Sequence, residues 1–402
     1  MARTTSRRKR SVPMQFSETL TRFFPLSMTT EFSPDELAEE QEAMLTLTSL
    51  RGLSQMQAHA LLRYYGSARA TLSDPHPALE LWGRLLSDRT ALREARDRAR
   101  RECDFCREHH IRIFPYTSGQ YPRLLQAEDV PDAPLALFYC GTGDIDRRYT
   151  LSVVGTRHIT EYGKQMCRDI LTELARLKPE VFVVSGLAYG VDIHTHREAL
   201  ANGLDTVAVL AHGLDRIYPS LHRKTAREMV QHGGLLTEYF TGTVPDKGNF
   251  VRRNRIVAGL STATLVIESA DKGGALITAS LANSYNREVL AVPGRVTDPY
   301  SAGCNRLIHE NKAVLVTSAE QLLQQLNWMP EQKEKKADPQ LFPVYTPEQD
   351  KVLEALRGTD GLTIDRLALL TQIPVSVLSD LLFDLEDLQA VKRMPGNRYR
   401  LS

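Results

Sequence analysis

The sequence predicts an α/β protein built on a doubly wound, mostly parallel sheet, with a helical N-terminal domain and a C-terminal winged-helix domain. Three observations support this prediction. Residues 33–108 carry apolar positions at helical spacing, residues 109–328 alternate short apolar strands with helix-like segments, and residues 346–402 show three helix-like segments and a hairpin. Repeated βα units place their strands parallel, with helices on both faces of the sheet.

Length and composition restrict the class of protein. A chain of 402 residues is long enough for two or three domains, and 42% hydrophobic with 25% charged residues is ordinary for a globular protein. Five irregularly spaced cysteines argue against a disulfide framework and for a reducing compartment. No apolar run approaches the ~20 residues of a membrane span, so we expect a cytoplasmic protein without membrane contact. The formal net charge is +1, so any basic surface must be local.

The chain begins with a basic segment and a helical segment. Residues 1–32, which start MARTTSRRKRSV, contain no apolar h-region, so we interpret them as a disordered basic arm and not as a signal peptide. Within residues 33–108, Gly52 and Gly66 flank the amphipathic stretch MQAHALLRYY. This pattern is typical of a helix–hairpin–helix or SAM-like bundle, which serves either as a packing unit or as a phosphate contact.

The central segment, residues 109–328, supplies the sheet. The apolar stretches LSVVG, VFVVSG, DTVAVLA and TATLVIES each come before a helix-like stretch. They are rich in valine and leucine without alternation, as expected for strands covered by helices on both faces. In such sheets ligands bind beyond the carboxyl ends of the strands. The sequence therefore predicts a site in the loops that follow these strands.

A linker and a winged helix complete the chain. Residues 329–345 contain prolines and mixed charges without periodicity, which predicts a linker. Residues 346–402 then show the winged-helix pattern, with the hairpin turning at residues 395–397. The third helix, VSVLSDLLFDLEDLQ, is acidic, which favours protein contact or packing over duplex recognition. Basic residues in the wing leave a nucleic-acid role open.

Glycines and a cation follow the first two strands of the predicted sheet. Gly155 permits a sharp turn, Thr156 offers a hydroxyl and an N–H, and Arg157 offers a planar guanidinium suited to phosphate. This signal alone is weak, because an arginine in such a turn can also pair with an acidic neighbour. Ser185 and Gly186 end the next strand, but no GxGxxG motif is present, which argues against a dinucleotide site.

More cations and glycines surround the strand TATLVIES. The candidate anion-binding residues there are Arg252, Arg253, Asn254, Arg255, Lys272, Gly273, Gly274 and Thr278. A Gly-Gly pair at a helix start exposes N–H groups to an anion. Three arginines in four positions are costly to bury unpaired, so we expect some to face solvent or phosphate and one to pair with Glu238 or Glu268. Cations at three strand ends suit several phosphates in a row better than one small phosphate group.

Aromatic, histidine and cysteine residues near these segments have ordinary alternatives. Tyr189, Tyr218 and Phe250 are either packing anchors or stacking platforms for bases. His194 and His196 stand two apart on a predicted helix and point to different sides, so a shared metal ion is not expected. The Cys-x-x-Cys at residues 103–106 has no second pair, whereas a structural zinc needs four ligands. We expect no metal and no cofactor.

Eight short motifs follow one another across residues 112–317: YPRLL, VGTR, SGLAYGVDIHTH, GLDRIYP, GGLLTEY, RRNRIVAGLS, ESADKGGALITA and VPG. In this order they resemble the DNA-processing protein A family, also called Smf. The resemblance implies a Rossmann-like core that binds and protects incoming single-stranded DNA and loads the RecA recombinase onto it during natural transformation. It also implies a homodimer formed through that core, and no catalysis.

The resemblance also assigns residues. It places the DNA-contacting arginine of the family's G-S/T-R motif at Arg157, and the basic residue after its YP motif at Arg223 or Lys224. The glycine-serine turn and the two basic segments of the family correspond to Ser185–Gly186, Arg253–Arg255 and Lys272–Gly274. Thr156 stands where serine is common and keeps the hydroxyl, whereas His212 stands where small residues are frequent and changes the loop.

Two other functions remain open from the sequence. Nucleotide phosphoribohydrolases of the same superfamily, resembling lysine decarboxylase-like proteins, use a glutamate in a PGGxGTxxE-type loop. Here the loop DKGGALITASLA has no glutamate after its glycines, so Glu238 or Glu268 would have to replace it. The other possibility is a sensor that binds a nucleotide and signals through the winged helix.

Overall fold

The computed structural model describes residues 31–73, 83, 87–329 and 345–402. These residues divide into two units, Met1–Cys103 with Pro115–Gln120, and Asp104–Phe114 with Tyr121–Ser402. The predicted basic arm lies outside the described residues apart from its last two positions, as does the predicted linker apart from its two ends. The predicted domain boundaries stay predictions.

The first unit is helical. Its helices are α1 (Pro34–Ser49), α2 (Gln55–Tyr65), α3 (Ala68–Ser73) and the first part of α4 (Arg89–Glu108). Ser54 begins α2 with a capping box to Gln57, and Gly66 ends it in the left-handed conformation at φ 82°. The buried carboxylate of Glu40 accepts hydrogen bonds from the Ala68 N–H at 2.7 Å and the Thr117 hydroxyl at 2.6 Å. The predicted N-terminal helical segment is confirmed.

A mostly parallel sheet organises the second unit. Its described strands are β1 (Arg112–Pro115), β2 (Ala136–Gly141), β3 (Thr150–Val154), β4 (Phe182–Ser185), β5 (Thr206–Val209), β6 (Gly233–Thr237), β7 (Ala263–Val266), β8 (Glu288–Ala291) and β9 (Val314–Leu315). They are ordered β1-β2-β6-β5-β4-β3-β7-β8-β9. Strands β3 to β9 pair in parallel, and β2 pairs with β6 antiparallel.

Helices cover this sheet. They are α5 (Arg123–Gln126), α6 (Glu161–Leu177), α7 (Val191–Ala201), α8 (Arg223–Gln231), α9 (Lys247–Gly259), α10 (Gly274–Ser284), α11 (Ala302–His309) and α12 (Ala319–Gln325). Every residue of β3 is buried, because helices pack on both faces. Leu151 and Val153 of β3 share a core cluster with Ile170 and Leu174 of α6. The predicted doubly wound fold is confirmed.

The sheet has one topological switch point. From β3 the chain builds β4, β5 and β6 on one side, and then returns to place β7, β8 and β9 on the other side. Val154 and Val266 end β3 and β7 in register, so the loops that begin at Gly155 and at Ile267 leave the sheet side by side. Ligands of doubly wound sheets bind where two such loops diverge.

The C-terminal residues form the predicted winged helix. Its elements are α13 (Pro347–Leu356), β10 (Leu362–Thr363), α14 (Ile364–Thr371), α15 (Val375–Asp387), β11 (Val391–Met394) and β12 (Arg398–Leu401), with sheet order β10-β12-β11. The wing lies against the sheet domain: Asn327 Nδ2 donates to the Arg393 carbonyl at 2.7 Å. A Cβ on Gly396 would lie 2.8 Å from the Asn286 carbonyl oxygen, so the turn of the wing also touches that domain.

The described helices and side chains bear on two classes of protein, membrane-spanning and metal-binding. No single described helix is both long and apolar enough to cross a membrane, and α14 with α15 reach the required length only as a pair bent by 107°. Within the same ranges, no group of three or more histidine, cysteine, aspartate or glutamate residues is arranged to hold a metal ion.

The core contains a histidine that makes folding sensitive to acid. His196 of α7 is fully buried, and its Nδ1 lies 2.8 Å from the Thr206 hydroxyl. Burial lowers the pKa of His196 from 6.5 to about 3. Below about pH 6.5 the unfolded chain therefore binds a proton that the folded chain does not accept, so the free energy of unfolding falls as pH drops toward about 3.

We expect His196→Gln to reduce this acid sensitivity. Between about pH 7 and about pH 4.5, the buried imidazole accounts for a loss of roughly 2–3 kcal/mol in the free energy of unfolding, at about 1.4 kcal/mol per pH unit. Urea unfolding of both proteins at the two pH values measures the difference. His232→Gln is the control, because it removes a histidine that is exposed and lies outside the core. Equal pH dependence in wild type and His196→Gln would contradict the prediction.

Candidate nucleic-acid interface

The loop after β3 is fixed from both sides. The Thr156 N–H donates to the Glu268 carbonyl at 2.7 Å, and the Thr156 carbonyl accepts the Val191 N–H at 3.1 Å. A Cβ on Gly155 would lie 2.3 Å from the Val191 side chain, so only glycine fits there. The structure thereby corrects the prediction of an available Thr156 N–H. Arg157 points outward, is exposed, and makes no ion pair with a described residue.

An internal carboxylate occupies the N-terminus of α6. The buried Glu268 accepts hydrogen bonds from the Thr160 N–H at 2.9 Å and from the Thr160 hydroxyl at 2.5 Å. Gly163 leaves room for this carboxylate, since a Cβ there would lie 2.3 Å from Glu268 Oε2. The positive end of the helix dipole is therefore matched by the protein's own negative charge. Attraction of an external phosphate at this loop comes from the charge of Arg157.

The loop after β4 supports its neighbours from inside. Ser185 is buried, and its hydroxyl donates to the Val153 carbonyl at 2.7 Å. A Cβ on Gly186 would lie 2.4 Å from the guanidinium of Arg253, so a glycine is needed for that close approach. The buried side chain of Ser185, a predicted DNA-binding residue, therefore positions the loop.

Arg253 is the guanidinium around which these loops are assembled. It is 4% exposed, and its Nη1 donates to the Gly186 carbonyl at 2.8 Å and also to the Val209 carbonyl. Burial lowers the pKa of Arg253, and the nearby carboxylate of Asp192 opposes that effect. Arg253 is a predicted DNA-binding residue; its burial and the two carbonyl contacts of its Nη1 at the ends of β4 and β5 argue against a phosphate contact. The role of Asp192 was missed, and its only sequence signal is an acid in the first turn of a helix.

The remaining residues of the arginine segment differ in burial. Arg255 is buried and forms an ion pair with Glu238, which confirms the expected pairing and corrects the predicted DNA contact for Arg255. Asn254 is partly buried and accepts a hydrogen bond from Arg253 Nε at 3.3 Å. Arg252 is exposed.

The loop after β7 is open at its end. Lys272 and Gly274 are exposed, and a Cβ on Gly274 would meet nothing within 4 Å. The N–H of Gly273 donates to the Ala270 carbonyl at 3.0 Å, so it is unavailable to an anion. Thr278, a candidate anion-binding residue, is only 2% exposed.

The exposed cations at this edge form a set that we call the cationic edge: Arg157, Arg223, Lys224, Arg252 and Lys272. Lys224 Nζ lies 3.9 Å from Glu228 Oε1, and the others make no ion pair within the described part of the chain. A pairing at that distance with a half-exposed carboxylate contributes little, so Lys224 remains available to an external anion. Charges that the protein leaves without internal partners are available to external phosphates.

Aromatic side chains lie beside Arg157 and near Arg223. The Arg157 guanidinium lies 5.0 Å from the centre of the Phe250 ring, and the Tyr218 ring centre lies 6.0 Å from that of Phe250. Tyr189 is 45% exposed and lies edge-on to His222, the residue before Arg223. The loops after β3, β4 and β5 therefore meet in one surface of cations and rings.

His212 explains the altered loop that the sequence indicated after β5. Its Nε2 accepts the Tyr218 N–H at 3.2 Å, and its Nδ1 lies 2.9 Å from the Gly213 carbonyl oxygen. The imidazole thus bridges the two ends of the loop and holds Tyr218, which is 46% exposed, at the surface.

Two models of known protein families match this chain. The family model described as "DNA recombination-mediator protein A" matches residues 112–327, and the model described as "DprA winged helix domain" matches residues 331–397.

Individual relatives agree with these models. "Protein Smf" of Synechocystis sp. is 35% identical over 316 residues, which cover 70% of this chain and 77% of the relative. "DNA processing protein DprA" of Bacillus subtilis is 34% identical over 290 residues, covering 71% of this chain and 96% of the relative. The crystal structure of DNA processing protein A from Streptococcus pneumoniae superposes with a TM-score of 0.60 at 30% identity, covering 71% of this chain and 97% of that one.

We expect Gly190→Ala to disrupt the contact between the first two loops. Gly190 has φ +79°, and a Cβ there would lie 2.1 Å from the Thr156 carbonyl oxygen. Strain and collision with backbone atoms together lower the free energy of unfolding by more than about 2 kcal/mol. Chemical denaturation measures this change. Gly274→Ala is the matched control, since open space surrounds Gly274 and an effect within about 0.5 kcal/mol is expected; similar values for both variants would contradict the prediction.

Proposed function

This chain belongs to the DNA recombination-mediator protein A family, and we propose that it binds single-stranded DNA along the cationic edge without reading base sequence. The proposal rests on one observation: some cations near that edge are buried and paired, whereas others are exposed and have little internal pairing. Buried arginines have internal partners, whereas the cations of the edge are exposed on the loops after β3 and β7 and on the helices α8 and α9. Such an arrangement suits a flexible chain of phosphates.

Physical chemistry indicates how such a strand is held. Each phosphate neutralised on a single strand contributes about −0.7 to the slope of log K against log salt, so four contacts give a slope near roughly −3. Stacking on exposed rings adds about 1–3 kcal/mol per base, and every base has a face that can stack. Phe250 lies next to Arg157, Tyr218 lies next to Phe250, and both rings fit this second role.

The proposed function also includes protein partners. We propose that the chain acts as a homodimer through its sheet domain, protects incoming DNA, and loads the RecA recombinase onto the strand during natural transformation. The family's description as a recombination mediator supports this part. Size-exclusion chromatography tests the dimer. The DNA-dependent ATPase of RecA, measured on a strand already coated with a single-strand-binding protein, tests loading: an unchanged lag before ATP hydrolysis would contradict it.

We propose a binding role and not a catalytic one. A phosphoribohydrolase needs a glutamate that is free to act at the substrate. The two candidates are engaged elsewhere, since Glu268 accepts both hydrogen bonds of Thr160 and Glu238 pairs with Arg255. Incubation with nucleoside monophosphates and detection of released base tests this choice. Clear release of base would favour the enzyme.

We expect Arg157→Ala to weaken binding to a fluorescein-labelled oligo-dT by about tenfold, because a charge-assisted phosphate contact is lost. The salt slope should become shallower by about 0.7, and strands of mixed sequence should be affected equally. Fluorescence anisotropy at several salt concentrations measures both quantities.

Arg176→Ala is the matched control for this measurement. Arg176 is an exposed arginine in the last turn of the same helix that begins after Arg157, so it lies toward the opposite edge of the sheet, and wild-type affinity is expected. A changed preference among bases in Arg157→Ala would mean that Arg157 does not contact phosphate. Binding that ignores salt would argue against the whole interface.

A further inference from the structure

A groove opens beside the cationic edge, between the first turn of α6 and the loop after β8. Its volume is about 800 Å³, and Tyr162, Gly294, Asp298 and Tyr300 are among the residues that line it. We propose that this groove, which we call the Tyr162–Tyr300 groove, receives an unpaired base of the strand held on the cationic edge. This inference rests on the proposed function and adds a binding site for a nucleobase to it.

The groove is continuous with two cations of the edge. His158 follows Arg157 directly, and its ring centre lies 6.2 Å from that of Tyr300. The Tyr300 carbonyl accepts the Ser269 N–H at 2.7 Å, and Ser269 belongs to the loop that carries Lys272. A strand whose phosphates contact Arg157 and Lys272 therefore passes the mouth of the groove.

The walls of the groove are rigid. The Tyr162 hydroxyl donates to the Pro293 carbonyl at 2.6 Å, which ties α6 to the loop after β8. Asn305 holds Gly294 by two hydrogen bonds, accepting its N–H at 3.2 Å and donating to its carbonyl at 3.0 Å. A Cβ on Gly294 would lie 2.0 Å from Ser301 Oγ, so the loop depends on this glycine. A preformed groove loses little entropy when it binds a ligand.

The chemistry of the lining selects a base over a phosphate. Tyr162 is 42% exposed and Tyr300 is partly exposed, so both rings are accessible to a planar ligand. The carboxylates of Glu161 and Asp298 and the guanidinium of Arg295 also line the groove. Glu161 is ion-paired with Lys164 at 2.6 Å. Asp298 makes no ion pair with a described residue, so its carboxylate repels phosphate and can accept hydrogen bonds from the amino groups of bases. Arg295 is exposed and makes no ion pair with a described residue, so it suits the phosphate next to the inserted base.

The size of the groove agrees with this assignment. Sites for small planar ligands have volumes of about 300–1,000 Å³, and the groove lies within that range at about 800 Å³. A free nucleotide shares the chemistry of a base in a strand, but its phosphate is not held by Arg157 or Lys272. We therefore assign the groove to a base that belongs to the bound strand.

Two changes, made separately and together, test the assignment: Tyr300→Ala in the protein and removal of all bases from the strand. The probes are a labelled oligo-dC of about twelve nucleotides, within the range of single-strand site sizes, and an abasic strand of equal length. We expect Tyr300→Ala to weaken binding of oligo-dC by roughly 5- to 150-fold, the equivalent of one stacked base, and to leave the abasic strand unaffected. Tyr300→Phe should keep wild-type affinity for both strands.

A further variant separates a base contact from a structural fault. Val296→Ala is the control, because Val296 is 92% exposed beside the groove and does not line it. Equal weakening of both strands by Tyr300→Ala would overturn the proposal, and so would binding of dCMP alone that is lost in Tyr300→Ala.

The same titrations distinguish failure of the groove from failure of the proposed function. If wild type binds both strands with steep salt dependence and Tyr300→Ala changes neither affinity, only the groove assignment is wrong. If wild type binds neither strand, the cationic edge does not hold DNA, and both proposals fail.

Discussion

The loops at the carboxyl edge of the sheet are assembled around the guanidinium of Arg253. A buried cation without partners costs several kcal/mol, so the structure must supply acceptors for it. The carbonyl groups of Gly186 and Val209 do so, and Asp192 adds an opposite charge. Because the two carbonyl groups and the opposite charge come from three different segments, one side chain of α9 holds the ends of β4 and β5 and the start of α7 together. The glycine at position 186 follows from the same constraint.

The charges at this edge form two layers. The inner layer is paired internally: Glu268 closes the N-terminus of α6, and Glu238 forms an ion pair with Arg255. The outer layer is the cationic edge, which has little internal compensation. Pairing within the inner layer holds the loops in place without a ligand, which preorganises the outer cations for the proposed binding of phosphates. The proposed phosphate contacts are separate from the Tyr162–Tyr300 groove, whose lining includes the carboxylates of Glu161 and Asp298 as well as Arg295.

The winged helix presents its acidic helix and not its wing. The wing turn touches the sheet domain at Asn286, and Arg123 of α5 reaches Asp360 at 3.6 Å. Because these contacts lie on the side of the wing, α15 faces solvent. Val377 is 47% exposed and Phe383 is 73% exposed, and both lie among the acidic residues of this helix. That face is poor in positive charge, which agrees with the expectation that protein contact is favoured over duplex DNA.

The sequence by itself determined the order of strands and helices, because apolar runs and helical spacing are local patterns. It also indicated which loops hold the site, since ligands of a doubly wound sheet bind beyond the carboxyl ends of its strands. Only the tertiary structure decided which arginines are available. Successive residues of a helix point about 100° apart, so Arg253 and Arg255 of α9 point to different sides, yet both are buried, whereas Arg252 is exposed. Which sides of α9 are buried depends on strands and loops that are distant in the chain, and no local pattern contains that information.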